Sequence, residues 1–430
     1  MKKMLLIFSI FFCVAIADEF VESKTTIGGY GEMHYDMEGD GELDFHRFIF
    51  YIKHNFNDMW SLMSEVEIEH NMVGSEAALG TSVGKGGYVA MEQAHLNYWN
   101  GKWGWQGGVV LIPAGVINEY HEPPTFMSVE RPSYHSKIIP TTWFDNGFAF
   151  YGTMGNFNWK FAMTGDLNGD MINTSKGLKY ARRKGSDSST TDWLKSFQMS
   201  WTGIEGLKLG GSYHMNDAPF SGESAIDAVP AHWEYETTWD YANSAPTCTG
   251  AWVAGDWTDQ ASCEAGPDGL LDDSDAANGD ESADDQVYTG PSDGVQTTTA
   301  TWVEATEDSG MDRPAGSVGV KLMEVNATYS KNNMYARFEY GKVDYENGPM
   351  ESSSGYYLDL GYNIADMVGC NNDLYVWMRN SAYNMKDTGD DTEISLFGVM
   401  YKPHDRISLK FDMGESSGSE VTRMGIGYMF

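Results

Sequence analysis

The chain closes on the stretch Val421-Thr422-Arg423-Met424-Gly425-Ile426-Gly427-Tyr428-Met429-Phe430. From Met424 onward, apolar or aromatic side chains occupy every second position, and two glycines stand between the first three of them. Because side chains alternate between the two faces of a β-strand, this pattern predicts a strand with one apolar face. An aromatic-rich last strand that ends on Phe is typical of transmembrane β-barrels of the bacterial outer membrane, and we expect that fold class here.

The connections upstream follow a regular rhythm. Residues 25–430 divide into sixteen candidate strands, and the connections between them are alternately short and long. An outer-membrane barrel has tight periplasmic turns on one rim and long external loops on the other, so consecutive connections must differ in length. The sequence therefore predicts an all-β fold, a 16-stranded antiparallel transmembrane β-barrel. The predicted turns are Asn57–Met59, Gly101–Lys102, Gly155–Asn156, Gly203–Glu205, Lys331–Asn332, Asp366–Asn371 and Pro403–His404.

Polar and apolar side chains alternate inside the predicted strands. In one of them, Met334 and Phe338 alternate with Arg337 and Glu339. A soluble β-sandwich alternates in the same way, with its polar face outward, so this pattern alone does not separate the two folds. The even strand number, the rhythm of the connections and the aromatic end favour the barrel. Sixteen strands enclose an aqueous channel rather than a packed interior.

The amino terminus has the features of a secretory signal peptide. Two lysines follow Met1, the apolar run Met4–Ile16 comes next, and Ala15-Ile16-Ala17 forms a small-x-small cleavage site. We expect residues 1–17 to be removed and residues 18–430 to form the mature chain in the outer membrane. The alternative, a retained membrane helix, is disfavoured because the apolar run is too short to span a bilayer.

Acidic residues dominate the composition. The chain has 62 Asp and Glu against 28 Lys and Arg, which gives a formal net charge of −34. Nucleic-acid binding requires a basic surface, so this balance argues against a nucleic-acid partner. Much of the acid lies in Asn216–Gly316, which contains 22 acidic residues and one basic residue, Arg313. A connection of that length exceeds any ordinary hairpin, and we expect a large acidic external loop with local order of its own.

Two further features of the loops predict a disulfide and a pair of candidate calcium sites. Cys248 and Cys263 lie close together in the acidic stretch and are destined for an oxidising compartment, so we expect a disulfide between them, while Cys370 is left unpaired. Two Asp-rich segments resemble calcium-binding loops, although neither matches the full twelve-residue pattern. The alternative is that these two segments are solvated acidic loops that bind no calcium. The candidate calcium ligands are Asp166, Asn168 and Asp170 in the first segment, and Asp273, Asp275 and Asp280 in the second.

The segment 112–142 is unlike an external tether because it is rich in proline and apolar residues. A large barrel that discriminates among solutes must narrow its bore, and an ordered loop folded into the lumen would do so. We therefore predict that this segment constricts the pore.

Three stretches carry a family resemblance: Pro113–Pro123 (PAGVINEYHEP), Ile138–Trp143 (IIPTTW) and the closing Gly425–Phe430 (GIGYMF). With these, the chain resembles the phosphate-selective porin O and P family of Gram-negative outer membranes over most of its mature length, outside 216–316. The resemblance implies a homotrimer of sixteen-stranded barrels in which the third loop constricts the pore. Phosphate-selective members line their channel with Arg and Lys.

The predicted lumen of this chain departs from that pattern because acidic side chains match or exceed the basic ones. Acidic rings favour cations, and charges of both signs across a gap produce a transverse field typical of general porins. The sequence thus predicts a barrel without phosphate specificity. The inward strand residues are Arg47, Lys53, Glu65, Glu67, Glu69, Glu92, Arg337, Glu339, Asp359, Arg379, Glu393, Lys410 and Asp412. Those of the constricting loop are Glu119, His121, Glu122, Glu130, Arg131 and Lys137.

No enzyme signature is present in the sequence: neither a Gly-x-Ser-x-Gly turn, nor paired Cys ligands, nor a phosphate-cradling Gly loop. We expect a porin for passive diffusion of small hydrophilic solutes and ions, without a cofactor apart from calcium in the external loops. Its partners would be outer-membrane lipid and lipopolysaccharide. The alternative from a different class is a surface-display or adhesin barrel that presents a calcium-binding acidic loop.

Overall fold

A computed structural model describes residues 24–39, 41–70, 87–223, 232–240, 247–249, 287–289, 295–303, 313–386 and 391–430. Sixteen antiparallel strands in it form one closed barrel, which confirms the predicted fold class. The barrel strands are β1 (Lys24–Asp36), β2 (Glu42–Asn55), β3 (Trp60–Glu69), β4 (Val89–Trp99), β5 (Trp103–Leu111), β6 (Phe144–Met154), β7 (Phe157–Thr164), β8 (Leu194–Ile204), β9 (Leu207–Phe220), β14 (Gly316–Lys331), β15 (Met334–Glu346), β16 (Ser352–Asn363), β17 (Asp373–Asn384), β18 (Thr392–His404), β19 (Ile407–Ser416) and β20 (Ser419–Met429).

The closing stretch completes the barrel. Strand β20 pairs with β1 from Tyr30 opposite Met429 to Asp36 opposite Arg423, and Phe430 exchanges two backbone hydrogen bonds with Gly29. Every backbone donor and acceptor along this seam can therefore find a partner, and the sheet has no free edge.

The two faces of the strands differ as the alternation predicts. In β15, Met334 and Phe338 are exposed on the outside, whereas Arg337 and Glu339 are buried on the inside. Exposed apolar side chains recur on the outward face of the other strands, for example Phe197 in β8. This arrangement is the reverse of a soluble sandwich, in which the polar face meets the solvent.

Short turns and long loops segregate to opposite ends of the barrel, here named the turn end and the loop end. One turn contains a short helix, α2 (Ala365–Val368). The predicted turn at Pro403–His404 is displaced, because β18 continues through His404 and β19 begins at Ile407. The long connection predicted as 216–316 is also shorter, since β9 keeps pairing with β14 up to Phe220.

Residues Ser224–Asp312 form a compact unit separate from the barrel. Within it, β10 (His232–Asp240) pairs with β13 (Val295–Val303), and β11 (Thr247–Thr249) pairs with β12 (Val287–Thr289). Among the described residues of the chain, no helix is long and apolar enough to cross a membrane.

Apolar side chains inside the barrel anchor two loops. The third loop (residues 112–143) contains helix α1 (Tyr134–Lys137), and the fourth loop (residues 165–193) follows β7. Their buried side chains share one cluster with inward residues of β9, β14 and β15. The cluster includes Ile112, Ile138, Ile139, Trp143, Leu167, Ile172, Leu178, Val318, Val320, Leu322 and Val343. Hydrophobic burial thus anchors both loops to the inner face of β9, β14 and β15.

Candidate pore constriction

A buried asparagine joins the two ends of the third loop. The amide nitrogen of Asn118 donates to the carbonyls of Ile112 (2.7 Å) and Trp143 (3.0 Å), and its oxygen accepts from the Trp143 backbone N–H (2.6 Å). Asn118 is fully buried. Since buried polar groups are costly unless they are bonded, these three contacts fix the base of the loop.

Polar contacts tie the third loop to several walls of the barrel. The Val116 N–H donates to Glu339 of β15 (3.1 Å), and the Val129 N–H donates to Asp412 of β19 (2.6 Å). Glu119 accepts from Lys160 of β7 (3.4 Å) and, with its other oxygen, from a glutamine of β8. The loop therefore crosses the bore instead of following a single wall.

Several predicted inward side chains are engaged in buried contacts, with this loop or with each other. Lys410 donates to the Ser128 carbonyl (2.8 Å) and lies 3.7 Å from the centroid of the Phe126 ring. Glu339 is fully buried and accepts hydrogen bonds from His135 (3.1 Å) and Tyr357. Asp359 and Arg379 form a buried pair with two hydrogen bonds, at 2.6 and 2.7 Å. These charges are largely neutralised in place.

A β-bulge in β4 builds an acidic contact for the loop. Glu65 pairs with Gln93, and the next residue of β3 pairs with Met91, so Glu92 is the extra residue of the bulge. Its side chain is buried inside the barrel. The Nε2 atom of His121 lies 3.3 Å from Glu65 and 3.6 Å from Glu92. The bulge thus brings two carboxylates to one loop histidine.

Protonation strengthens this contact. Burial disfavours the charged form of His121, but the hydrogen bond with Glu65 and its charge outweigh burial and raise the pKa of His121 to about 9. The imidazole is therefore positively charged at neutral pH and anchors the third loop to β3 and β4.

A cavity of about 660 Å³ opens at the loop end and is named the loop-end cavity. Its acidic wall consists of Glu67, Glu69 and Glu92 from the barrel. Its basic wall comes from the third and fourth loops and consists of Arg131, Lys179, Arg182 and Lys184. Seven Arg or Lys and four Glu line the cavity altogether, so its balance is opposite to that of the whole chain.

The part of the basic wall that comes from the fourth loop was not predicted from the sequence, whereas Arg131 of the third loop was. Lys179-Tyr-Ala-Arg-Arg-Lys184 is a dense basic run, but it lies in a loop, where no alternation shows which way a side chain points. Arg182 donates to the carbonyls of Pro140 (2.8 Å) and Thr142 (2.5 Å), which fixes the run against the third loop. Burial and the charge of Arg182 lower the pKa of both Lys179 and Lys184.

A second cavity of about 460 Å³, the turn-end cavity, is lined by Val116, Tyr120 and Thr125 of the third loop and by Arg337. The third loop thus borders both cavities. Of the predicted site residues, those in the lining of the loop-end cavity are Arg47, Glu67, Glu69, Glu92, Glu130, Arg131 and Arg379.

The remaining predicted site residues lie outside the lining of the loop-end cavity. Lys53 is exposed near the turn end of β2, and Glu122 accepts from Tyr51 (3.4 Å). Lys137 lies 5.6 Å from the centroid of the Tyr383 ring. The prediction that Glu393 points inward is wrong: β18 turns Ile394 and Leu396 to the inside, which leaves Glu393 exposed on the other face.

Comparisons with known proteins place the fold. No family model matches the chain, so membership of the phosphate-selective family is not confirmed. An uncharacterized protein of Aquifex aeolicus is 24% identical over 95% of this chain and 81% of its own length. OmpF of Salmonella typhi, solved in complex with daunomycin, is 10% identical with a TM-score of 0.51 and covers 95% of this chain and 97% of its own. The chain has a porin-type barrel fold. A loop-deletion mutant of OmpT, an outer membrane protein of Vibrio cholerae, is 12% identical with a TM-score of 0.49, over 95% of this chain and 100% of its own.

The candidate calcium ligands of the fourth loop are engaged by protein donors. Asp166 pairs with Arg183 (3.1 Å) and accepts from the Thr191 N–H (3.0 Å), while Asp170 accepts from Ser221 (2.7 Å). The second candidate set (Asp273, Asp275 and Asp280) and Cys263 lie outside the described residues, as does the side chain of Cys248. Cys370, at the turn end, is a free cysteine.

Proposed function

We propose that this protein is an outer-membrane porin through which small hydrophilic solutes and ions diffuse passively. The observation that carries the proposal is the third loop, which crosses the bore and is bonded to β15 on one side and β19 on another. A loop held in this way narrows the bore, and steric and electrostatic filtering requires such a narrowing. Catalysis has no part in the proposed mechanism.

The outer surface supports a membrane location. Apolar side chains cover the outward face of the strands, and closure leaves no unpaired backbone edge for lipid to meet. In the proposal, the turn end faces the periplasm, the loop end faces the exterior, and lipid and lipopolysaccharide surround the barrel. Homotrimer formation is part of the proposal through the family resemblance.

We propose that the two walls of the loop-end cavity set the ion selectivity. Lys179 and Lys184 of the basic wall line the same cavity as Glu67 and Glu69. Charges of opposite sign around one cavity produce a local field, which sorts solutes by dipole and size rather than excluding one sign of ion. The expected outcome is weak selectivity in place of the cation preference that the acidic side chains of the predicted lumen indicate.

The test is the reversal potential of the purified protein in planar bilayers across a KCl gradient. Lys179→Gln with Lys184→Gln should shift the reversal potential toward cations, and Glu69→Gln should shift it toward anions. Lys102→Gln, at an exposed turn of the opposite end, removes one lysine charge away from the cavity and should leave the value unchanged. Equal values for all variants would contradict the proposal. Block by added phosphate would assign the channel to phosphate instead.

A second function is favoured by one observation. Ser224–Asp312 forms its own compact unit, which is what an adhesin presented by a barrel would require. Excision of this unit separates the two functions.

A further inference from the structure

Three of the ten histidines of the chain meet at one corner of the loop end. His34 of β1 stacks on His46 of β2, with ring centroids 4.7 Å apart, and His46 meets the edge of His70, at 5.3 Å. Adjacent strands hold them, because the His70 N–H donates to the His46 carbonyl (3.2 Å). Their side chains are only partly exposed, at 9%, 21% and 27%.

Two carboxylates complete the cluster. Asp44 lies between two of the rings, 2.9 Å from the Nδ1 atom of His46 and 2.9 Å from the Nδ1 atom of His70. Glu130 of the third loop lies 2.7 Å from the Nδ1 atom of His34. The cluster contains two overlapping sets of three ligand groups, and in each set the ligand atoms lie within 4.8 Å of one another. His46 belongs to both.

We propose that this corner binds a divalent transition-metal ion of the zinc class. Imidazole nitrogen and carboxylate oxygen are the ligands that Zn²⁺, Cu²⁺ and Ni²⁺ accept, at about 2.0–2.2 Å for zinc. Calcium and magnesium require oxygen ligands and suit this site poorly. The site does not depend on the proposed transport function, because its ligands come from the first two strands, the residue that follows the third strand and the third loop, whatever solute the channel passes.

A neighbouring carboxylate and an open route from the cavity favour metal binding at this corner. Glu32 lies 3.3 Å from the Nε2 atom of His34, in the position of the outer carboxylates that orient metal-binding histidines. His70 has φ of 50°, a left-handed conformation that is costly for a non-glycine residue. His46 and Glu130 line the loop-end cavity, so an ion has a route to the site.

A second group of potential metal ligands is less suitable as a zinc site. Glu65, Glu92 and His121 also come within reach of a single ion, but no side chain of this group is more than 3% exposed. Their polar atoms hold the third loop to the wall. The histidine-rich corner is the better candidate because it combines nitrogen ligands with access.

The experiment is calorimetric titration of Zn²⁺ alone into the metal-stripped, full-length protein in detergent. His46→Ala removes the ligand common to both sets and should weaken binding by about tenfold or more. His54→Ala is the matched control, because His54 lies on the same strand, near the turn end. Co²⁺ should give visible absorption bands with the wild type and lose them in His46→Ala.

Each variant is first checked for the heat-dependent gel shift of a folded barrel, and His70→Gln replaces His46→Ala if the latter does not fold. Wild-type Zn²⁺ affinity in both folded variants would overturn the proposal. The same conclusion would follow if His121→Ala abolished binding while His46→Ala retained it, since the ion would then occupy the buried group.

Discussion

Two inward glycines of β20 make room for the third loop. A Cβ atom at Gly425 would lie 2.9 Å from a methyl group of Val129, and one at Gly427 would overlap the ring of Pro123. The proline ring cannot move aside as a flexible side chain could. The alternation of large residue and glycine in the closing stretch therefore has a cause on each face: lipid contact outside and loop contact inside.

Gly427→Ala should consequently loosen the third loop. Overpacking of this kind costs about 1–3 kcal/mol, and we expect a lower free energy of unfolding in urea together with a higher or noisier single-channel conductance. Gly361→Ala is the matched control, because its Cβ would meet Met127 of the same loop at an ordinary 3.5 Å. Equal effects of the two substitutions would contradict this account of Gly427.

His121 makes the anchoring of the loop sensitive to pH. A histidine whose pKa is raised by folding contributes stability in full below its unfolded value near 6.5 and loses it as the pH rises through about 9. We expect His121→Gln to destabilise the protein by about 3 kcal/mol at pH 7, because Glu65 and Glu92 lose a buried partner.

The measurement is thermal unfolding of wild type and His121→Gln between pH 6 and 10. The gap between their midpoints should narrow above pH 9. A gap that stayed constant over the whole range would mean that the charge of His121 has no part in the anchoring. His404→Gln, at an exposed turn-end position, is the control.

At the scale of elements, the strands could be predicted from the sequence and the fourth loop could not. Alternation fixes the inward face of β15 or β19 because lipid and water impose opposite demands on neighbouring residues. The rule fails in β18, where the inward residues Ile394, Leu396 and Met400 are themselves apolar, and Glu393 was assigned to the wrong face for that reason. It also breaks at the β4 bulge, where Glu92 and Gln93 both contribute to the Glu65 contact region.

In loops, the direction of a side chain cannot be predicted from alternation. The third loop was recognisable because proline and apolar residues are unsuited to an exposed tether, and Ile112 and Ile139 are indeed fully buried. The basic run 179–184 of the fourth loop resembles an ordinary solvated segment in sequence. Only the contacts of Arg182 with the carbonyls of Pro140 and Thr142 show that it forms a wall of the cavity.

At the scale of the whole molecule, net charge and site charge differ because the acid is concentrated in one unit. Ser224–Asp312 contains 20 of the 62 acidic residues and no Lys or Arg. The net charge of the chain is thus in large part a property of this unit, whereas the loop-end cavity is lined by the barrel and its third and fourth loops.

Excision of Ser224–Asp312 tests the function of the whole protein. Glu223 and Arg313 exchange backbone hydrogen bonds of 2.8 and 2.7 Å, so an Asn-Gly turn can join them as a two-residue hairpin. A porin should still fold and should conduct like the wild type in 1 M KCl, where screening suppresses the field of distant charges. At low salt, the loss of acidic residues should reduce any cation preference. A folded variant that has lost cell attachment but conducts normally would support both functions, one in each unit. A folded variant that no longer conducts would refute the proposal that the barrel and its third loop form the channel by themselves.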